Sequence, residues 1–258
     1  SQSNLNSLLN LLEATVGSVP SSTNRSELVD VSLYDHAKTT AGIAACIYEY
    51  LQSYGVSDYR EALFDQRLSG RYYNEPMFLL YSCDMSGIQD FIYNISGSGA
   101  LKQLRARSQY LELLLEHIVD ELLQRLGLCR ANLLYTGGGH AYLLLPNTPE
   151  VKSSLEEFEA ELREWFVDNY RTDLFVASAW VECSADDLAN RGEDKQRYPK
   201  LYRELSRKLS AAKASRYSAE TIRRLNFGEK GNSDRSQDHS RECTECHRSD
   251  LNIDEEGK

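Results

Sequence analysis

The sequence lacks the features that would send a chain into a membrane, out of the cell or into a fibre. No apolar run reaches the ~18 residues of a membrane-spanning helix, and no basic-then-apolar stretch stands at Ser1 as a secretory signal would. Internal repeats are absent. Cysteine is sparse, with six in 258 residues, which argues against a secreted disulfide scaffold and favours a reducing cytoplasm. Positive charge is in deficit: 29 Lys and Arg against 39 Asp and Glu give a net charge of -10, unlike a simple nucleic-acid coat. What remains, 41% hydrophobic and 26% charged residues, is the composition of a soluble globular chain long enough for roughly two domains.

The charge deficit is uneven. Residues 1–190 carry 13 basic and 26 acidic side chains, whereas residues 191–258 carry 16 and 13. Lys195 to Arg224 alone holds 10 basic against 2 acidic residues, with Tyr198, Tyr202 and Tyr217 interleaved. That pattern suits either a segment that tracks a phosphate backbone or a solvated helix face packed on an acidic partner.

Residues 1–70 read as helical. Leu5, Leu8, Leu9 and Leu12 repeat at helical spacing, and after a polar break Ser32 and Asp35 form a capping box for a helix running through Ile43, Ile47 and Leu51 to Gly55. A shorter helix is expected from Tyr59 to Leu68. From Met77 the period changes. Phe78 to Cys83 is a short apolar run ending in Asp84, as in a buried strand. A long amphipathic helix follows, with Leu104, Leu111, Leu115, Ile118 and Leu122 on one face and Gly127 as its stop. Strands from Ala131 to Tyr135 and from Ala141 to Leu145 flank a glycine-rich tip, Gly137-Gly138-Gly139-His140, in hairpin fashion. Thr148-Pro149 starts another helix, and Leu174 to Cys183 is the last strand. The order strand, helix, strand, strand, helix, strand predicts an α+β chain whose ferredoxin-like (palm, βαββαβ) domain spans 77–184. Right-handed crossovers put both helices on one face of the sheet and leave the other open or covered by a neighbour. The segment 185–258 reads as a basic helical arm, with helices expected from Tyr198 to Ala212 and from Ser218 to Leu225.

In a palm, nucleotides lie across the open sheet face near the end of the first strand and the hairpin tip. Asp84, Ser86 and Gly87 fall at the first place, and Gly137, Gly138, Gly139 and His140 at the second. A carboxylate there suits Mg²⁺ on a triphosphate, and glycines let phosphate approach the backbone. The plainer reading is that Asp84 caps a short helix and the glycines only turn the chain. Ser96-Gly97-Ser98-Gly99, before the long helix, is equally either a phosphate loop or a connector. No acidic pair follows the hairpin glycines, so this palm lacks the two-metal set of a phosphoryl-transfer site. Asp35-His36 is a candidate metal pair, but Asp35 already serves the capping box, and His36, on the face of Thr40, Ile43 and Ile47, is expected to point into the core. Cys46, Cys83, Cys129 and Cys183 sit in or beside apolar runs and read as small hydrophobes. Cys243 and Cys246 have the spacing of half a zinc ribbon. A closed site needs four ligands, which His239 or His247 or residues outside this chain would supply.

Taken together, five stretches resemble, in the same order, the large subunit of type III-A CRISPR effector complexes: Ser32-Leu-Tyr-Asp-His-Ala-Lys-Thr-Thr40, Asp84-Met-Ser-Gly-Ile-Gln-Asp-Phe91, Leu104-Arg-Ala-Arg-Ser108, Leu134-Tyr-Thr-Gly-Gly-Gly-His140 and Cys243-Thr-Glu-Cys-His-Arg-Ser-Asp250. The resemblance implies an antiviral defence protein with an HD domain that cuts single-stranded DNA and two palms that turn ATP, with Mg or Mn, into cyclic oligoadenylate when target RNA is bound. It implies partners in the subunits of a crRNA-containing complex, and no membrane. Asp35 and His36 would then belong to the later half of the HD domain, which holds a divalent metal. Asp84 to Phe91 and Gly137 to His140 would form the first palm, and Cys243 with Cys246 half of a structural Zn site. The leading HD metal ligands and the acidic second palm would lie outside residues 1–258, so the chain reads as an internal, catalytically incomplete piece. Another reading is a non-enzymatic scaffold for RNA and partner subunits, and a third is a degenerate cyclase-like signalling domain.

Overall fold

The structure, a computed structural model, describes residues 2–24, 26, 30–65, 69–93, 100–192 and 195–227. Its centre is a sheet of β1 (Phe78–Ser86), β2 (Leu133–Gly137), β3 (His140–Pro146) and β4 (Phe175–Cys183), ordered β2-β3-β1-β4 with every pairing antiparallel. Helix α6 (Ala100–Arg125) links β1 to β2, and α7 (Pro149–Tyr170) links β3 to β4. The chain is therefore α+β, with the expected split βαβ order around its sheet.

Alternation along β1 builds both layers of the molecule. Leu79, Tyr81, Cys83 and Met85 join Leu111, Leu115 and Leu122 of α6 and Phe166 of α7 in one core. Phe78 and Leu80 join a second core on the opposite face, with Cys46 and Leu51 of α2 (Leu33–Ser53) and Leu201, Leu205 and Leu209 of α9 (Arg197–Ala214). The second face is thus covered, over these residues, by two helices of the same chain. Leu201, Leu205 and Leu209 repeat every four residues, which keeps them on one stripe of α9, and burying each contributes about 1.5–3 kcal/mol. Burial on both faces also explains why Phe78 to Cys83 reads as a continuous apolar run. Cys46, Cys83 and Cys183 are buried, and burial pushes the thiols of Cys83 and Cys183 up to about 12, so they behave as core hydrophobes. No helix among the described residues is long and apolar enough to cross a membrane.

Helix α2 starts on the expected cap: the Asp35 amide donates to Ser32 Oγ (3.0 Å), and that hydroxyl donates to Asp35 Oδ2 (2.7 Å). The helix then presses close to the turn before β2. A Cβ at Gly42 would overlap the Ala131 carbonyl, and beside this contact Asn132 Nδ2 donates to the carbonyls of Leu144 (2.9 Å) and Gly42 (3.3 Å). One buried amide thereby ties α2 to the sheet. In contrast, α1 (Gln2–Val16) forms at the expected place but leaves Leu5 and Leu8 exposed.

Gly42→Ala is expected to destabilise the chain by about 1–3 kcal/mol through overpacking, although alanine is the better helix former by about 1 kcal/mol. Thermal unfolding decides it, and a raised midpoint would contradict the close approach. A second expectation concerns Glu159 on α7, half-buried near Tyr81. Burial raises its carboxyl above the ordinary range, against a hydrogen bond to Ser178 and the charge of Arg163. A raised folded value favours the protonated native state, so the stability it confers is present below the unfolded value of about 4.3 and is lost as pH rises through the folded one. Urea midpoints should therefore shift in favour of Glu159→Gln over wild type between pH 4 and pH 7. A difference that stays constant with pH would refute this.

Candidate functional site

The even-numbered face of β1 carries Ser82, Asp84 and Ser86 beyond Phe78 and Leu80, all directed to the α9 side. Asp84 does not cap the short helix α5 (Ile88–Tyr93), because the strand continues past it to Ser86. It lies opposite His140 in the β1–β3 register and opposite Ala177 in the β1–β4 register. Its side chain is only 7% exposed. A carboxylate buried this far needs charged or hydrogen-bonded partners, and it has two on one oxygen. His140 Nε2 donates to Asp84 Oδ2 (2.9 Å), and the Lys213 ammonium contacts the same atom. Lys213 comes from the last turn of α9 and continues the stripe of Leu201, Leu205 and Leu209 by one more step of four. The leucines that seat the helix therefore also aim the lysine. Arg216 follows: its Nε donates to the Lys213 carbonyl (3.1 Å) and its guanidinium lies 5.7 Å from the Phe175 ring, whose residue pairs with Ser86 across the β1–β4 ladder.

The two predicted loops meet. The Met85 amide donates to the Gly139 carbonyl (2.8 Å), which ties the hairpin tip to the end of β1. The glycines divide by surroundings. Gly138 has φ +61 and open space where a Cβ would stand. At Gly87, φ +92, the Asp173 carbonyl fills that space, so this glycine serves backbone packing. Beside the tip, Tyr135, Tyr142, Tyr202 and Tyr198 form a chain of neighbouring rings with centroid separations of 6.4, 5.8 and 4.8 Å. The His140 ring lies 6.5 Å from Tyr142 at an interplanar angle of 22°. Tyr135, at the end of this row, is 56% exposed. Exposed aromatic rings next to cationic groups are a stacking surface for flat bases with phosphates attached.

The structure brings Asp84 and His140 together and ties Gly139 to the end of β1, and beside them it places Lys213, Tyr135 and Tyr142, which the sequence reading does not single out. The signal for Lys213 was present: a lysine that extends a leucine series of step four must face what the leucines face. His36 departs from expectation. It is exposed, because the buried row of α2 runs through Tyr34, Gly42, Cys46 and Tyr50, and the row of His36, Thr40, Ile43 and Ile47 flanks it. Asp35 and His36 stand at the start of α2, apart from the Asp84 cluster. Among the described residues no group of three or more His, Cys, Asp or Glu is arranged to hold a metal. Asp84 does not fit a divalent cation, since one of its oxygens already takes both an ammonium and an imidazole. Cys243, Cys246, His239, His247 and the Ser96 to Gly99 loop lie outside the described residues.

Comparison with known proteins supplies the family. Residues 77–228 match the sequence model described as Csm1 subunit domain B. A Mycobacterium tuberculosis protein described as CRISPR system single-strand-specific deoxyribonuclease Cas10/Csm1 (subtype III-A) is 53% identical over 255 residues, covering 94% of this chain and 30% of that protein. An Enterococcus italicus protein of the same description is 50% identical over 253 residues, covering 97% and 32%. The chain thus spans about a third of the length of these curated relatives. Among solved structures, the Csm1-Csm4 cassette in complex with AMPPNP is similar at a TM-score of 0.66 and 36% identity, covering 81% of this chain and 27% of the other. The apo cassette gives 0.68 and 34%, covering 88% and 28%. By sequence and by fold, the chain belongs to the Csm1 family of subtype III-A CRISPR large subunits.

Proposed function

We propose that residues 77–184 of this chain are the nucleotide-binding first palm of a CRISPR antiviral effector large subunit, and that they form, with Lys213 of the arm that follows, one wall of an ATP pocket used for cyclic oligoadenylate synthesis. The observation that carries the reading is the cluster of His140 and Lys213 on buried Asp84, tied by backbone to the Gly137 to Gly139 tip and flanked by Tyr135. Similar folds described as Csm1-Csm4 cassettes in complex with AMPPNP and with cA4 support it. In this role Lys213 offers donors to phosphate while His140 stays on Asp84, Gly138 leaves open backbone for the phosphate, and the tyrosine row receives the base. The Mg or Mn that drives transfer belongs with acidic residues outside this palm, as does the divalent metal of single-strand DNA cleavage by the whole protein. A structural Zn at Cys243 and Cys246, a Csm4-like partner subunit, crRNA, target RNA and single-stranded DNA complete the proposed setting in the cytoplasm.

A second reading has its own observation. Asp84 is neutralised within the chain, and Arg203 and Arg207 stand exposed on α9, which suits a scaffold that binds RNA and partner subunits without nucleotide. Titration calorimetry of ATP into the 258-residue chain separates the two. The nucleotide reading expects saturable one-site binding and, on incubation with ATP and Mg²⁺, no oligoadenylate. Absence of binding would favour the scaffold, and clear turnover by the chain alone would overturn its catalytic incompleteness.

A further inference from the structure

The Asp84 cluster is asymmetric. The acid is 7% exposed, whereas its two partners reach out of the sheet, Lys213 at 36% and His140 at 40%. The ammonium carries three donors and one faces Asp84, and with the side chain 36% exposed the others can meet a ligand from solvent. Lysine also holds its charge on a flexible four-carbon stem, which lets the head move while α9 stays seated on Leu201, Leu205 and Leu209. His140 already donates to the same carboxylate oxygen, so the acid keeps a hydrogen bond if the ammonium turns away. A nucleoside triphosphate presents several negative charges against the single charge of Asp84.

We infer that Lys213 is the phosphate-contacting cation of this palm, and that Asp84 is its resident counter-ion, displaced by an incoming nucleoside triphosphate rather than bridged to it by a metal. The inference rests on the nucleotide-binding reading above and specifies its charge logic. Asp84 becomes a competitor of phosphate that tunes affinity downward, and Lys213 a residue whose contribution depends on the ligand's phosphates and not on its base. Arg216, anchored on the Lys213 carbonyl and the Phe175 ring, adds positive charge at the same end of β1.

The test uses the intact 258-residue chain with Asp84→Asn, Lys213→Met and the double variant, titrated with ATP and with adenosine, each in Mg²⁺ and in EDTA. Lys213→Met alone leaves a buried carboxylate supported only by His140, and should it fail to fold, the double variant, which buries no such charge, carries the comparison. Asp84→Asn is expected to tighten ATP about tenfold, which is about 1.4 kcal/mol, and to leave adenosine unchanged. Adding Lys213→Met should remove that gain and weaken ATP at least tenfold relative to Asp84→Asn, again with adenosine unchanged. Neither effect should need Mg²⁺. Weaker ATP binding by Asp84→Asn with loss of Mg²⁺ dependence would overturn the inference in favour of a metal-ligand role, while the nucleotide reading would stand. Equal ATP binding by all folded variants would reduce Lys213 to a structural partner. Failure of wild type and Asp84→Asn alike to bind ATP would overturn the nucleotide reading and the inference together.

Discussion

A carboxylate on the central strand of a sheet covered on both faces persists only if the fold brings a cation to it. Asp84 sets that condition. Its answer, Lys213, comes from the far end of the described chain, and reaching Asp84 requires α9 to lie along β1 and β4 at one height. The leucine stripe of α9 fixes that height, the β1–β3 register fixes His140 opposite Asp84, and the Met85 to Gly139 hydrogen bond holds the hairpin tip beside both. The site and the second layer of the fold are therefore one construction. Without α9 the acid would keep only its contact with His140, and without the acid the last turn of α9 would bring a lysine to the sheet with no carboxylate to meet.

The two faces of the sheet divide the labour. Toward α6 and α7 the sheet presents mainly apolar side chains, and burial in this layer raises the Glu159 carboxyl of α7. Toward α2 and α9 the same strand passes from Phe78 and Leu80 to Ser82, Asp84 and Ser86, so the apolar seal opens into a polar end. Gly42 and Asn132 dock α2 over β3 and leave the tyrosine row and the hairpin tip at the margin of the covered area. Chemistry is thus placed where the cover stops.

Much of the fold was legible because it depends on local pattern. The buried strand run from Phe78, the leucine period of α6, Thr148-Pro149 at the start of α7 and the Ser32 cap of α2 each follow from neighbours in sequence. What was missed depends on partners distant in sequence. The strand is expected to end at Asp84, because a charged residue reads as an end, and Lys213 with His140 makes its burial tolerable. His36 was assigned inward from one row of α2, while the closer contact of Gly42 with Ala131 turns the neighbouring row to the sheet. At Gly87, expected from sequence to let phosphate approach the backbone, the Asp173 carbonyl fills the space where a Cβ would stand. The family resemblance, by contrast, rested on ordered motifs and agrees with the match of residues 77–228 to Csm1 subunit domain B.

The central claim is that Asp84 and Lys213 are energetically coupled and that this coupling organises the sheet end. A double-mutant cycle of Asp84→Asn and Lys213→Met on urea unfolding measures it directly. The account predicts a coupling of about 1–3 kcal/mol, in the range found for residues in one ion-pair network. A coupling indistinguishable from zero would contradict it.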